Sequence, residues 1–169
     1  DIAQPIFGKV SDSTTHIYLL SPTQTDVVSV VKELDRYSNG AQGEELSVTI
    51  LSSGDPVRDA VEYLDVGLVL ADFVSTGQIS LNLVEGLPPR LFFGDQASFV
   101  LTDVGGETIT HSSVDADTAH LRDHLESMAE SSESHGIRLP PLSKVRSGIK
   151  DRFSESMLND FDMMFSGLS

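Results

Sequence analysis

Thr15-His-Ile-Tyr-Leu-Leu20 runs straight into Ser21-Pro22-Thr23, after which Val27, Val28, Val30, Val31 and Leu34 recur at helical spacing. The apolar run suits a buried strand, the Ser-Pro-Thr step stops it, and the hydroxyls cap the helix that follows. Asn39-Gly-Ala-Gln-Gly43 reads as a loop, and the pattern then repeats. Leu46-Ser-Val-Thr-Ile-Leu51 alternates like a strand, and Ser53-Gly-Asp-Pro56 opens another helix with Pro56 in its first turn. Two strand-to-helix units in succession call for an α/β arrangement.

Working outward, residues 1–13 show no periodicity and read as a lead-in. Val57, Val61, Leu64, Leu68 and Ala71 continue a helix to Val74, with a bend expected at Gly67 and a stop at Thr76-Gly77. Ile79, Leu81 and Leu83 alternate as a strand. Residues 91–93 and 99–101 form two strands across a tight Gly94-Asp95-Gln96 turn, and a short strand at 108–111 follows Gly105-Gly106. A polar surface helix is expected from Asp115 to about Ser132, with its exit by Gly136. The fold class is therefore α/β, a mixed β-sheet flanked by helices on at least one face, over residues 1–136. A helical tail occupies residues 137–169.

The composition is acidic: formal net charge −15, with sixteen Asp, ten Glu and four Lys. Such an excess repels itself in dilute salt and is tolerated where molar salt shortens the screening length to ~3 Å. We read it as the signature of a halophile rather than as a functional patch. Cysteine is absent, which excludes disulfides, Cys-ligated zinc and a thiol nucleophile. No run approaches the roughly 18–20 apolar residues that span a bilayer, so a cytoplasmic protein with no membrane partner is expected. The chain opens at Asp1 rather than Met, which points to processing or to a piece of something longer.

In the tail, Pro140-Pro141 bars helix before Leu142. Leu142, Val145, Ile149, Phe153, Met157, Phe161 and Phe165 then hold a helical period, with a break expected around 154–156. A stripe of that length must pack on the body or on a second copy, and we assign these residues to dimerisation. Five of the eleven Lys and Arg residues fall between Arg138 and Arg152. Lys144, Arg146, Lys150 and Arg152 balance the acidic body, or else touch a DNA backbone, where they would position rather than specify. Lys144 and Arg146 lie about 200° apart on a helix, so they do not form one phosphate-tracking row.

Residues 139–165 resemble the end of the effector domain in haloarchaeal transcriptional regulators of the TbsP type. The likeness rests on Pro140-Pro-Leu-Ser-Lys-Val-Arg146, the amphipathic helix after it, and Asp160-Phe161-Asp162. Such regulators carry a sensing and dimerisation domain followed by a winged helix-turn-helix. The resemblance therefore implies a homodimer that reaches DNA through a C-terminal domain this chain does not contain, because Ser169 falls about where that domain begins.

The element order also resembles the phospholipase D-like domains that some archaeal regulators retain without catalysis. That chemistry needs His-x-Lys-x4-Asp, a phosphate-attacking His with a Lys on the phosphate oxygens. The nearest frame is Pro88-x-Arg90-x4-Asp95, and proline cannot attack phosphorus. Arg90 and Asp95 read first as flanks of a hairpin; as a relic phosphate holder, Arg90 would favour an anionic small-molecule effector. Ser21, Thr23, Ser53 and Asp55 join it as effector-binding candidates, since loops after the strands of an α/β sheet are where ligands settle. His120 and His124 stand at i, i+4 with Asp117 and Asp123 near, but without a His-Glu-x-x-His motif they read as a solvated face, and no metal or cofactor is expected. The reading is a non-enzymatic sensing and dimerisation domain of a haloarchaeal regulator. A divergent phosphohydrolase, or a metal-dependent hydrolase built on His120 and His124, is the alternative. A stand-alone module that pairs with a full-length regulator is a third.

Overall fold

The computed structural model describes residues 16–38, 46–84, 90–94, 98–105, 107–113, 118–134, 136–137 and 139–167. The lead-in at 1–13, the loop at 39–43, the tip of the Gly94-Asp95-Gln96 turn, Asp117, His135, Arg138 and the side chain of His120 lie outside them.

The strands are β1 (His16–Leu20), β2 (Ser47–Ser52), β3 (Ile79–Leu83), β4 (Arg90–Phe93), β5 (Ser98–Val104), β6 (Glu107–Ser113) and β7 (Glu133–Ser134). They form one sheet in the order β6-β5-β4-β1-β2-β3-β7. β1, β2 and β3 are parallel neighbours, and β4 to β6 continue from β1 as an antiparallel meander. The helices are α1 (Gln24–Ser38), α2 (Asp55–Ala60), α3 (Leu64–Thr76), α4 (Thr118–Ser131), α5 (Leu142–Arg152) and α6 (Glu155–Gly167). The mixed α/β architecture with a helical extension is as the sequence indicates.

Both crossovers between the parallel strands step the same way along the sheet, and parallel crossovers are right-handed, so α1, α2 and α3 fall on one face. Alternation along the strands then divides the core. Ile17, Leu19, Val48, Ile50, Ile79, Leu81, Phe92 and Phe99 pack with Val27, Val30, Val31 and Leu34 of α1 and with Val66, Leu70 and Phe73 of α3. Tyr18, Leu20, Leu51 and Phe93 point the other way, onto Leu125. At about 2 kcal/mol per buried aliphatic side chain, the fully buried quartet of α1 anchors it far more strongly than the single Leu125 anchors α4 among its described residues.

α4 is thus not only a polar surface helix. Leu121, Leu125, Met128 and Ala129 cover the second face of the sheet. Asn82 ties down its end by donating to the Ala129 carbonyl at 3.0 Å and to Ser132 Oγ at 2.9 Å. The exit that follows contributes β7, a two-residue edge strand on β3 that periodicity cannot register.

The helix expected from 57 to 74 is two helices, α2 and α3, broken at 61–63 rather than bent at Gly67. Gly67 lies within α3 for a different reason. A Cβ there would sit 2.5 Å from Leu139 Cδ1 and 3.0 Å from the Val61 carbonyl oxygen. α3 is buried on two sides, by the sheet and by the chain entering the tail, and a side chain at 67 would push Leu139 aside. Replacing Gly67 with Ala is expected to cost about 1–3 kcal/mol in urea unfolding. Leu139→Ala in the same chain should return part of that loss; strictly additive costs would show that the two residues do not meet.

Candidate functional site

The sequence-derived effector candidates separate into two neighbourhoods at the carboxyl ends of the parallel strands. The first is an ion-paired knot. Asp26, in the first turn of α1, is 96% buried at its side chain, and Arg90 at the start of β4 grips it with two bonds. Nη2 donates to Oδ1 at 2.6 Å and Nε to Oδ2 at 2.8 Å. The same carboxylate accepts the Thr23 backbone N–H at 2.9 Å, while Thr23 Oγ1 accepts the Asp26 N–H at 3.2 Å. This is a capping box, and it satisfies two donors at a helix start. Ser21 precedes it with φ of 46°, a left-handed conformation that costs a non-glycine residue about 1 kcal/mol or more. Its N–H donates across to the Leu51 carbonyl at 3.0 Å, tying β1 to β2.

Arg90 therefore holds a carboxylate of this chain. The Thr23-x-x-Asp26 spacing was a legible signal for the cap; nothing in the sequence marked Asp26 as the partner of a residue sixty-four positions on. The fork joins the antiparallel half of the sheet to the helix layer over the parallel half.

The second neighbourhood is a cleft of about 520 Å³ beside the ends of β2 and β3. Ser53, Gly54 and Asp55 form one lip with Arg58; Val57, Val61, Leu83, Ile137 and Leu139 make an apolar wall. Gly54 has φ of 99°, and a Cβ there would lie 2.9 Å from Leu83 Cδ2, so glycine is required where the lip turns into α2. Arg58 pairs with Asp55 at 3.1 Å and approaches Asp59 at 3.8 Å. Ser53 and Asp55 were visible from the sequence as strand-to-helix loop residues. Leu83, Ile137 and Leu139 were not, because they come from elements distant in the chain.

The tail forms a helical hairpin against α3. Ser143 donates from its N–H to Asp72 at 3.1 Å and from its hydroxyl at 2.7 Å. Leu142 and Phe165 border a recess with Val31, Val66 and Val69. Val145, Ile149 and Phe161 are half-buried, and the Phe161 and Phe165 rings stand 5.2 Å apart. Phe153 and Met157, by contrast, are exposed. Of the basic residues, Arg146 forks onto Asp162 with two bonds of 2.9 Å. Lys144, Lys150 and Arg152 are exposed.

Elsewhere, His16 lies between two hydroxyls of β2, with Nδ1 2.6 Å from Ser47 Oγ and Nε2 2.9 Å from Thr49 Oγ1. Among the described residues no group of three or more His, Asp or Glu could hold a metal ion. No described helix is long and apolar enough to cross a membrane.

Asp26→Ala strips both Asp26 bonds from a largely buried guanidinium and is expected to lower the unfolding free energy by about 3–5 kcal/mol. Asp26→Leu with Arg90→Met removes both charges and should cost clearly less in the same urea titration. Equal losses would mean that the cap, not the ion pair, carries the stability.

No family model and no curated protein matches the sequence. Among solved structures, the chain is similar to TrmBL2, an archaeal chromatin protein described as showing a novel mode of DNA binding, with a TM-score of 0.52 at 11% identity. The match covers 79% of this chain and 50% of that one, so this chain spans about half the length of its neighbour. What the two share is the fold.

Proposed function

We propose that this chain is the sensing and pairing domain of an archaeal transcriptional regulator, without catalysis of its own, and that it reaches DNA through another part of the protein. The observation that carries this reading is the path of the chain around the cleft. Residues 136, 137 and 139 wall it, and the same segment packs on Gly67 and continues into α5. A molecule in the cleft presses on the chain that positions the tail, which is what a sensing domain requires: a ligand must interact differently with two arrangements to shift between them. The fold shared with half of an archaeal chromatin protein supports the regulatory setting. The tail's resemblance to TbsP-type regulators, together with the acidic composition, supports a haloarchaeal one. Pairing through the tail fits its exposed apolar residues.

The effector class follows from the cleft. Arg58 sits between Asp55 and Asp59, and Arg90 is matched by Asp26. Neither arginine offers uncompensated charge to an anion. A small, largely apolar molecule with one or two hydrogen-bonding groups for Ser53 and Asp55 suits the site better than the anionic metabolite that Arg90 suggested.

Chromatin immunoprecipitation of the chromosomally tagged protein tests the regulator: enrichment at discrete promoters is expected, and uniform recovery across the genome would sink the reading. A parallel assay with bis-p-nitrophenyl phosphate should give no turnover above buffer. Turnover abolished by Arg90→Ala would establish the phosphohydrolase instead.

A further inference from the structure

We infer that the outer face of the α5–α6 hairpin pairs with the same hairpin of a second copy, in an arrangement set by opposite charges on the two helices. The inference rests on the pairing role proposed above and specifies its geometry and chemistry. Three observations converge on that face. The first is apolar exposure: Phe153 is 58% exposed, Met157 50% and Met164 55%. The second is spacing. Met157 and Met164 stand seven residues apart, the step that keeps a seam on one side of a helix toward a partner, with the half-buried Phe161 at its inner edge.

The third observation is charge. Once Arg146 and Asp162 are set aside as a closed pair, α5 carries Lys144, Lys150 and Arg152 against Asp151, a net of two positive. α6 carries Glu155 and Asp160, a net of two negative. The hairpin thus presents an apolar seam with a basic helix on one side and an acidic helix on the other. Nucleic acid would meet α6 with repulsion, an acidic protein would leave α6 unanswered, and a basic one would leave α5 unanswered. A surface with a matching seam and both charges answers all three features, and the hairpin itself is such a surface.

A two-fold axis running along the hairpin brings each α6 beside the partner's α5, antiparallel to it, and does so twice. The levels agree. Arg146 stands opposite Asp162 across a turn at Phe153 and Ser154. At a rise of about 1.5 Å per residue, Arg152 is then level with Glu155, and Lys150 lies between Glu155 and Asp160. The face of a two-helix hairpin is small beside the roughly 800 Å² per partner of a standard interface, so the dimer is reversible and concentration-dependent.

The experiment is sedimentation equilibrium on the whole chain over a wide concentration range. Wild type should pass from monomer to dimer, and Met157→Asp, at an exposed position, should stay monomeric with an unchanged circular dichroism spectrum and melt. Two charge-reversed chains decide the arrangement: Lys150→Glu with Arg152→Glu, and Glu155→Lys with Asp160→Lys. Each alone should self-associate at least about tenfold more weakly than wild type, and an equimolar mixture should form a heterodimer, because every α6 then again meets an oppositely charged α5. Recovery in the mixture also shows that the separate chains are folded. Dimers that ignore the reversals, or a mixture that stays monomeric beside a dimeric wild type, overturn the hairpin arrangement while leaving a pairing role on another surface. A wild type that is monomeric throughout overturns the pairing role as well, leaving the cleft and the promoter test unaffected.

Discussion

The approach of Leu139 to the backbone of α3 at Gly67 decides where everything after residue 136 goes. α3 is apolar on more than one side: Val66, Leu70 and Phe73 face the sheet, while Leu68 and Ala71 are also buried. A helix buried on two sides needs a second layer, and the chain leaving β7 supplies it. With Leu139 seated against residue 67, the Pro140-Pro141 step and the Ser143–Asp72 bonds start α5 along α3. The tail is therefore docked on the body at its root. Its outer face, not its attachment, is what remains open.

The same contact explains why the cleft exists. β2 and β3 end at Ser52 and Leu83, and the chain turns away from β2 into the short α2 at Gly54. Among the described residues, the chain returning from β7 toward α3 closes the space left between them. Its wall is consequently assembled from three separated parts of the sequence, one of which runs on into the tail. That construction links the cleft to a helical hairpin without a conformational change needing to be invoked: the wall and the tether are one segment.

The ion-paired knot plays a different role. Arg90 begins the antiparallel half of the sheet and Asp26 begins the helix layer over the parallel half, so their fork holds the two halves together at the edge where α/β folds place ligands. A desolvated pair of this kind stabilises chiefly by complementarity, since removing one partner costs more than removing both. Arg90, which the sequence offered as a holder for an anion, is matched in this chain by Asp26 and acts as a structural strut.

The elements were legible wherever side-chain periodicity reports local burial. β1, α1, β2, β3 and the β4–β5 hairpin follow directly from apolar alternation and turn residues, and the tail divides near Ser154 where its helix-forming run weakens. The sequence by itself also determined the fold class, because two strand-to-helix units followed by a meander leave few ways to bury their faces. Three-dimensional packing decided the rest. It broke the α2–α3 run at 61–63 and turned Gly67 from an expected bend into a contact point. It gave α4 a buried face through Leu125, paired Arg90 with Asp26, and brought Leu83, Ile137 and Leu139 to one cleft. The physical reason is common to all of these: local pattern records how a residue meets solvent or core along its own element, whereas a buried charge pair, a glycine contact or a pocket wall depends on which distant residue arrives opposite, and periodicity carries no trace of that.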